Sequence, residues 1–338
     1  MTDWDARFRR TLQDVLATGQ EMCVRSSLSI GSDKAAREVL NYSLDLPDPT
    51  DRLLFHPRCR LDVVKAVGRF AWMMAANDRV ADVAWYDRGA HKFSDDGWTV
   101  PGSSDGARLL NPRPGLNQIE RVIELLRREP DSRRAVAVVY QPEDAGRVSR
   151  DVPCTIGMAY NLRGEGLHAS TIMRSSNAFR ILPYDLFLFS LLAEVVAAEL
   201  GVPLAGYHQF AVSLHVYVPD VDAATDVVTS DPPATRWSMP AMPPGSVFEQ
   251  LRALIRVEQE LRHPDVTVDV AAVPRLEQRF EQELVPYWQD FGRVLLLHAL
   301  RRRAPAHPDR LAAEEALIGA LGPAFGALLR PDFAQLPA

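Results

Sequence analysis

The chain has 338 residues, 47% hydrophobic and 24% charged, with a formal net charge of −6 and a pI of about 5.8. An acidic chain of ordinary hydrophobic content builds a soluble core but lacks the basic face that general nucleic-acid binding needs, so no nucleic-acid partner is expected. Its three cysteines (Cys23, Cys59 and Cys154) are far apart and form no CxxC, which argues against a disulfide framework or a metal site and for a reducing, cytoplasmic compartment.

The first residues, MTDWDARFRR, hold no apolar run, so no secretory signal is expected. Residues 5–22 carry Phe8, Leu12, Val15 and Leu16 at helical spacing. REVLNYSLDL (37–46) alternates like a strand, and 61–76 reads as an apolar helix rich in Ala, Trp and Met. Residues 94–115, with their Gly, Ser, Asp and Pro, read as an irregular loop. NQIERVIELLRR (117–128) is an amphipathic helix led by Asn117, and the strand RAVAVVYQP follows it. CTIGMAYNLRGEGLHASTIMR reads as a hairpin turning at Gly164–Gly166. The run from Leu186 to Ala198 carries Glu194 and is too short to span a bilayer. The spacing predicts a buried core helix over 185–200, followed by the strand HQFAVSLHVYV, and no membrane association. Residues 229–246 have the Pro, Ser and Thr content of a linker or surface loop, and 247–262 and 274–330 read as helical. The pattern predicts a mixed α+β core over 1–228, the 229–246 linker, and a helical extension over 247–338.

Two stretches carry chemistry. RDVPC ends at Cys154, and RSSNAFRILPYD begins at Arg174 and ends at Asp185. A lone cysteine is commonly an apolar core residue, but arginines and hydroxyls gather in its company. Arg25 precedes Ser26-Ser27, Arg133-Arg134 open a strand, and Arg174-Ser175 close one. Each alone reads as a solvated charge; together they have the makings of a phosphomonoester clamp. His215 and Tyr217 alternate along one strand and share a face, as a core pair or as ligands of a common cavity.

These segments resemble the thymidylate synthase superfamily. LNQIERVIELLRREPDSRRAVAVVYQP is similar to its helix and Asp-Ser-Arg-Arg strand, Pro153-Cys154 to its nucleophile motif, MRSSNAFRILPYD to its Arg-Ser-x-Asp…Pro-Phe-Asn helix, and HVY (215–217) to its His-x-Tyr motif. The resemblance implies an α+β fold, a mixed sheet packed with helices, with the helical C-terminal extension added. It implies that Cys154 attacks C6 of a pyrimidine nucleoside monophosphate, activating C5. By the same resemblance Arg25, Arg174 and Ser175 bind the phosphate, and Arg133 and Arg134 bind it across a homodimer interface. His215 and Tyr217 hold the sugar, and 5,10-methylenetetrahydrofolate supplies one carbon, with Asn177 and Trp85 on its side of the cleft.

Asp185 stands where the family's synthases have the uracil-reading Asn. A carboxylate accepts from the cytosine amino group, so the residue resembles that of the cytidylate (CMP or dCMP) hydroxymethylases; the start of an apolar helix also favours Asp as a cap. Thr155, where the synthases have His, agrees with a cytosine-directed member. Other departures cluster on the folate and water side. Arg69 replaces a glutamate, Asp105-Gly106 a Tyr-Gly, Asn177 an Asp, and Ile181 a Gly; the short closing tail has no counterpart. Three readings follow: a hydroxymethylase with a rebuilt folate pocket, a folate-independent enzyme that activates a cytidylate ring through Cys154, and a nucleotide-binding homologue without catalysis.

Overall fold

The structure is a computed structural model that describes residues 3–24, 34–164, 166–230 and 237–330. Helix α1 (Asp3–Thr18) is followed by strands β1 (Gln20–Val24) and β2 (Lys34–Leu46). Next come α2 (Val63–Met74), α3 (Val80–Val83), α4 (Asp105–Leu110) and α5 (Gln118–Arg128). The strands β3 (Val136–Val138), β4 (Thr155–Arg163), β5 (Gly166–Met173) and β6 (Ser176–Asn177) lead to α6 (Leu182–Leu200) and β7 (Leu204–Tyr217). Helices α7 (Val221–Thr229), α8 (Val247–Arg262), α9 (Val273–Glu283), α10 (Pro286–Arg303), α11 (Arg310–Gly319) and α12 (Pro323–Leu329) complete the chain.

The strands form one mixed sheet in the order β1-β2-β7-β5-β4-β3, with β6 also on β7. β7 runs antiparallel to β2 and parallel to β5, so a crossover is required between β5 and β7, and α6 supplies it. α6 is buried along nearly its whole length because the sheet and α5 pack on it together with α2 and α8. That burial on all sides explains why its sequence is apolar all round. Among the described residues no helix is long and apolar enough to cross a membrane, and no group of His, Cys, Asp and Glu is placed to hold a metal ion.

The boundaries depart from the sequence pattern in several places, among them β3, which keeps only Val136–Val138 of the expected RAVAVVYQP strand, and three more that have a plain local reason. The first helix stops at Thr18 rather than 22: a Cβ on Gly19 would lie 2.3 Å from the Val15 carbonyl oxygen, and the chain turns there into β1. The 94–115 segment contains α4, a two-turn helix that hydrophobic periodicity is too short to reveal. Its Gly106 sits where a Cβ would be 1.8 Å from the Met73 carbonyl oxygen, so docking on the end of α2 holds it. Finally, α6 starts at Leu182, with Pro183 in the first turn where a missing N–H costs nothing.

One continuous core cluster includes side chains from the sheet, from α6 and from α8, α9, α10 and α12. Its polar centre is an ion pair: Arg52 Nη2 lies 2.6 Å from Glu194 Oε2, with Arg52 fully buried. Glu194 also accepts from the Met242 N–H at 2.8 Å and from the Tyr287 hydroxyl at 3.4 Å, fastening the C-terminal helices to α6. Removing one partner of a buried pair strands the other charge. Glu194→Ala is therefore expected to cost about 3–5 kcal/mol, read from chemical denaturation followed by circular dichroism; a loss below about 1 kcal/mol would show that water reaches Arg52 readily.

Candidate active site

The hairpin explains why Cys154 and Arg174 meet. Gly164, at φ 57°, makes the turn, and the register pairs Thr155 with Met173. The residues just outside that pair, Cys154 and Arg174, therefore face each other at the open end. The Arg174 N–H donates to the Cys154 carbonyl at 2.7 Å. Its guanidinium donates to the carbonyls of Pro153 (2.6 Å) and Val152 (3.0 Å), and Nη2 lies 3.9 Å from Cys154 Sγ. One arginine thus fixes the Pro153-Cys154 loop and sets a positive charge beside the sulphur. A register shift between Thr155 and Gly157 turns the strand locally, as bulges beside active sites do.

Cys154 is exposed, yet protein crowds it closely enough that burial is the leading influence on its thiol, pushing it up to about 11. The Arg174 charge pulls it back down; Asp185, Asp105 and Asp151 push it further up. Asp185 is buried in the first turn of α6, where the Ser176 hydroxyl donates to it at 3.3 Å. It is not the helix cap, which falls at Ile181. Burial and then the Asp105 charge raise Asp185 to about 7, against the pull of Arg69 and the Ser176 hydroxyl.

β6 and β7 complete the wall. Ser176 pairs with Leu214 and Asn177 with His215, which brings the chain after Ser175 alongside the His215–Tyr217 segment. The His215 and Tyr217 rings meet edge to face at 4.7 Å, and burial, then the Cys154 charge, raises the Tyr217 hydroxyl. Cys154, Arg174, Ser175, Asp185, His215 and Tyr217 are thus drawn to one end of the sheet.

Of the other expected residues, Asn177 lies on this wall through its pairing with His215, while Arg133, Arg134 and Trp85 lie apart from it. Arg25 lies outside the described residues. Arg133 and Arg134 are exposed just before β3, whose pairing of Val136 with Ala159 sets them toward the end of β4 away from Cys154; Arg134 pairs with Glu129. Asn177 turns its side-chain oxygen onto the N–H groups of Phe179 (3.1 Å) and Arg180 (2.8 Å). Trp85 lies under the C-terminal helices: the Arg302 guanidinium stands 4.2 Å over its ring, and the His298 ring meets it edge-on at 5.9 Å.

Sequence reasoning gave no role to Asp151 and Asp105, which act on Cys154, or to Arg69, which acts on two of the carboxylates around it. Asp151 accepts from the Gly102 N–H at 2.5 Å and from the Ser103 hydroxyl. Burial leads the rise of Asp105 to about 6, and the neighbouring Thr155, Arg69 and Arg108 oppose it. Arg69, whose Nη1 donates to Asp87 at 3.1 Å, acts electrostatically on both Asp105 and Asp185. The position of Asp151 within RDVPC is one available signal and the match of Asp105-Gly106 to the family's Tyr-Gly another; the docking of α4 on α2 is what places Asp105.

A cysteine flanked by an arginine and a buried carboxylate, at one end of a mixed sheet, is an arrangement of groups that covalent catalysis can use. The thymidylate synthase family model matches residues 75–272, more than half of the chain, and the chain belongs to that family. It is 29% identical over 204 residues to the deoxyuridylate hydroxymethyltransferase of Bacillus phage SP01, covering 56% of this chain and 52% of that one. It is 25% identical over 221 residues to the deoxyuridylate hydroxymethyltransferase of Delftia phage PhiW-14, covering 62% and 60%. The chain thus spans between half and two thirds of the length of these two relatives. In fold it is similar to thermostable thymidylate synthase A from Bacillus subtilis, with a TM-score of 0.57 and 18% identity over 68% of this chain and 86% of that one.

Proposed function

We propose that the chain is a pyrimidine-nucleotide C5 hydroxymethyltransferase acting on a cytidine monophosphate, dCMP or CMP. Family membership and the two phage hydroxymethyltransferases support the reaction class. The observation that carries the substrate is Asp185, buried beside Cys154 and holding its proton up to about 7. As an acid it donates to cytosine N3 while its carbonyl oxygen accepts from the amino group; ionised, it still accepts that amino group. Cys154 Sγ adds to C6, and Arg174 with Ser175 holds the phosphate. His215 and Tyr217 take the sugar hydroxyls.

The one-carbon donor in this reading is 5,10-methylenetetrahydrofolate, which when bound supplies a carbon at the formaldehyde oxidation level. The cleft lip fits such a group on one side. Ile181 is an apolar side chain left 41% exposed, and Asn177, its oxygen engaged, keeps an amide N–H for a ligand. Trp85 fits less well, because Arg302 covers its ring.

The reading includes a homodimer. Leu40, Ile172 and Val212, on β2, β5 and β7, remain exposed, an arrangement suited to a covering partner. Arg133 and Arg134, away from their own Cys154, would reach the partner's phosphate.

Equilibrium dialysis with dCMP, CMP, dUMP and UMP tests the substrate class. Cytosine nucleotides are expected to bind about tenfold or more tightly than uracil ones, since one mismatched buried polar group costs about 1–3 kcal/mol. Tighter binding of uracil nucleotides would overturn the assignment. Arg174→Ala is expected to weaken monophosphate binding about 10–100-fold, the loss of one charge-assisted contact, and nucleoside binding far less. Equal losses for both would mean that its bonds to Val152 and Pro153 are its whole role.

A further inference from the structure

We propose that the C-terminal helices hold a second binding site, one for a small organic ammonium ion, formed where α10 and α12 meet the segment before α8. None of its described lining residues belongs to the sheet or to α6. The site therefore stands apart from Cys154 and does not depend on the nucleotide reading above.

The site is a cavity of about 280 Å³. Its roof comes from the segment expected as a linker. There the Met239 N–H donates to the Thr50 carbonyl at 3.1 Å, and the Trp237 ring meets Phe55 at 5.7 Å. Its floor is aromatic. Tyr287 and Phe291, one turn apart on α10, stack at 5.6 Å, and Phe325 of α12 meets Phe291 edge to face at 5.3 Å. The bend that opens α12 is tied down as well. Asp290 Oδ2 accepts the Gly322 N–H at 3.0 Å, and a Cβ on Gly322 would lie 2.7 Å from that oxygen. With roof and floor both fixed by backbone hydrogen bonds, the cavity is preformed, as ligand sites usually are.

Two features select the ligand. Aromatic rings attract cations through the negative potential of their faces, and three of them line this one space. The second feature is Asp290, the sole charged side chain among the described residues that line it. The neighbouring guanidinium of Arg293 is shared: Nη1 lies 3.3 Å from Asp290 Oδ1, while Nε lies 3.1 Å from Glu277 Oε1. Two carboxylates on one guanidinium leave one negative charge in excess. A carboxylate has about four acceptor positions, so Gly322 and Arg293 leave Asp290 able to take a further donor. Burial holds its carboxyl above the ordinary value even against both of them, and a ligand cation would relieve that cost. An anion would be repelled, and a neutral ring would leave the carboxylate as it is. The volume lies just below the roughly 300–1,000 Å³ of drug-sized sites, which suits one ring with a short ammonium arm rather than a nucleotide.

Equilibrium dialysis of the full chain with three probes of similar shape tests the assignment: phenethylammonium, 2-phenylethanol and 3-phenylpropanoate. The ammonium is expected to bind about tenfold or more tightly than the alcohol, and the propanoate not to bind. Asp290→Asn keeps an acceptor for the Gly322 N–H and should bring the ammonium down to the level of the alcohol. Ser238→Trp lays an indole over the cavity from an exposed position. It should abolish ammonium binding while leaving the circular dichroism unchanged. The ammonium should also raise the unfolding midpoint of the wild-type protein, by linkage, and not that of Ser238→Trp. An alcohol that binds as tightly as the ammonium would overturn the proposal. So would ammonium binding that Ser238→Trp leaves intact, or a wild-type protein that binds none of the three probes.

Discussion

Cys154→Ala is expected to abolish turnover while nucleotide affinity stays within a few-fold of wild type. The sulphur is the only thiol that the fold places beside Arg174 among the described residues, and removing a covalent nucleophile costs on the order of 10⁴-fold or more. Binding survives for a structural reason. Arg174 is anchored by the backbone carbonyls of Val152 and Pro153 and not by the sulphur. The side chain is exposed, so its truncation leaves no sealed cavity and little loss of stability. Single-turnover kinetics together with nucleotide dialysis measure both quantities. Residual turnover within tenfold of wild type would remove the covalent mechanism.

Asp185→Asn is expected to move preference from cytosine toward uracil nucleotides. An amide has a fixed donor and a fixed acceptor, whereas a carboxyl changes role with its proton. Mispairing one polar edge costs about 1–3 kcal/mol for each nucleotide, so the ratio of kcat/KM values should change by about 10²–10⁴-fold. Unchanged preference would limit Asp185 to its bond with Ser176. The same variant carries a stability signature. Folding raises Asp185 from the ordinary carboxylate value of 3.8 to about 7, so the folded state holds this proton more tightly than the unfolded one. Its contribution is fully present below about pH 4 and is lost as pH rises toward 7, with a slope of at most about 1.4 kcal/mol per unit. Asp185→Asn should flatten that part of the stability profile.

The elements that the sequence revealed are those whose signals are local. The turn between Leu162 and Leu167 fixes the hairpin register as far as Gly157, and counting back from it would set Cys154 against Ser175; the bulge between Thr155 and Gly157 shifts the pairing by one and sets it against Arg174. The apolar run of α6 and the Asn117 start of α5, where Asn117 accepts from the Ile119 N–H at 3.0 Å, were equally legible. Long-range contacts were not. α4 has six residues and owes its existence to Gly106 meeting Met73. Trp85 reads as a cofactor wall until α10, more than two hundred positions later, lays Arg302 over it. The assembly of Asp105, Arg69 and Asp185 joins α2, α4 and α6 through tertiary docking, for which no spacing rule exists.

The central claim is that Cys154 activates C5 of a cytidylate for one-carbon addition. The most direct test is to incubate the protein separately with dCMP, CMP, dUMP and UMP tritiated at C5, with and without methylenetetrahydrofolate, reading tritium release and product mass together. The account predicts release from a cytidylate and, with the folate present, a product heavier by one CH2O unit. Release from the uracil nucleotides alone, or no release from any of the four, would contradict it.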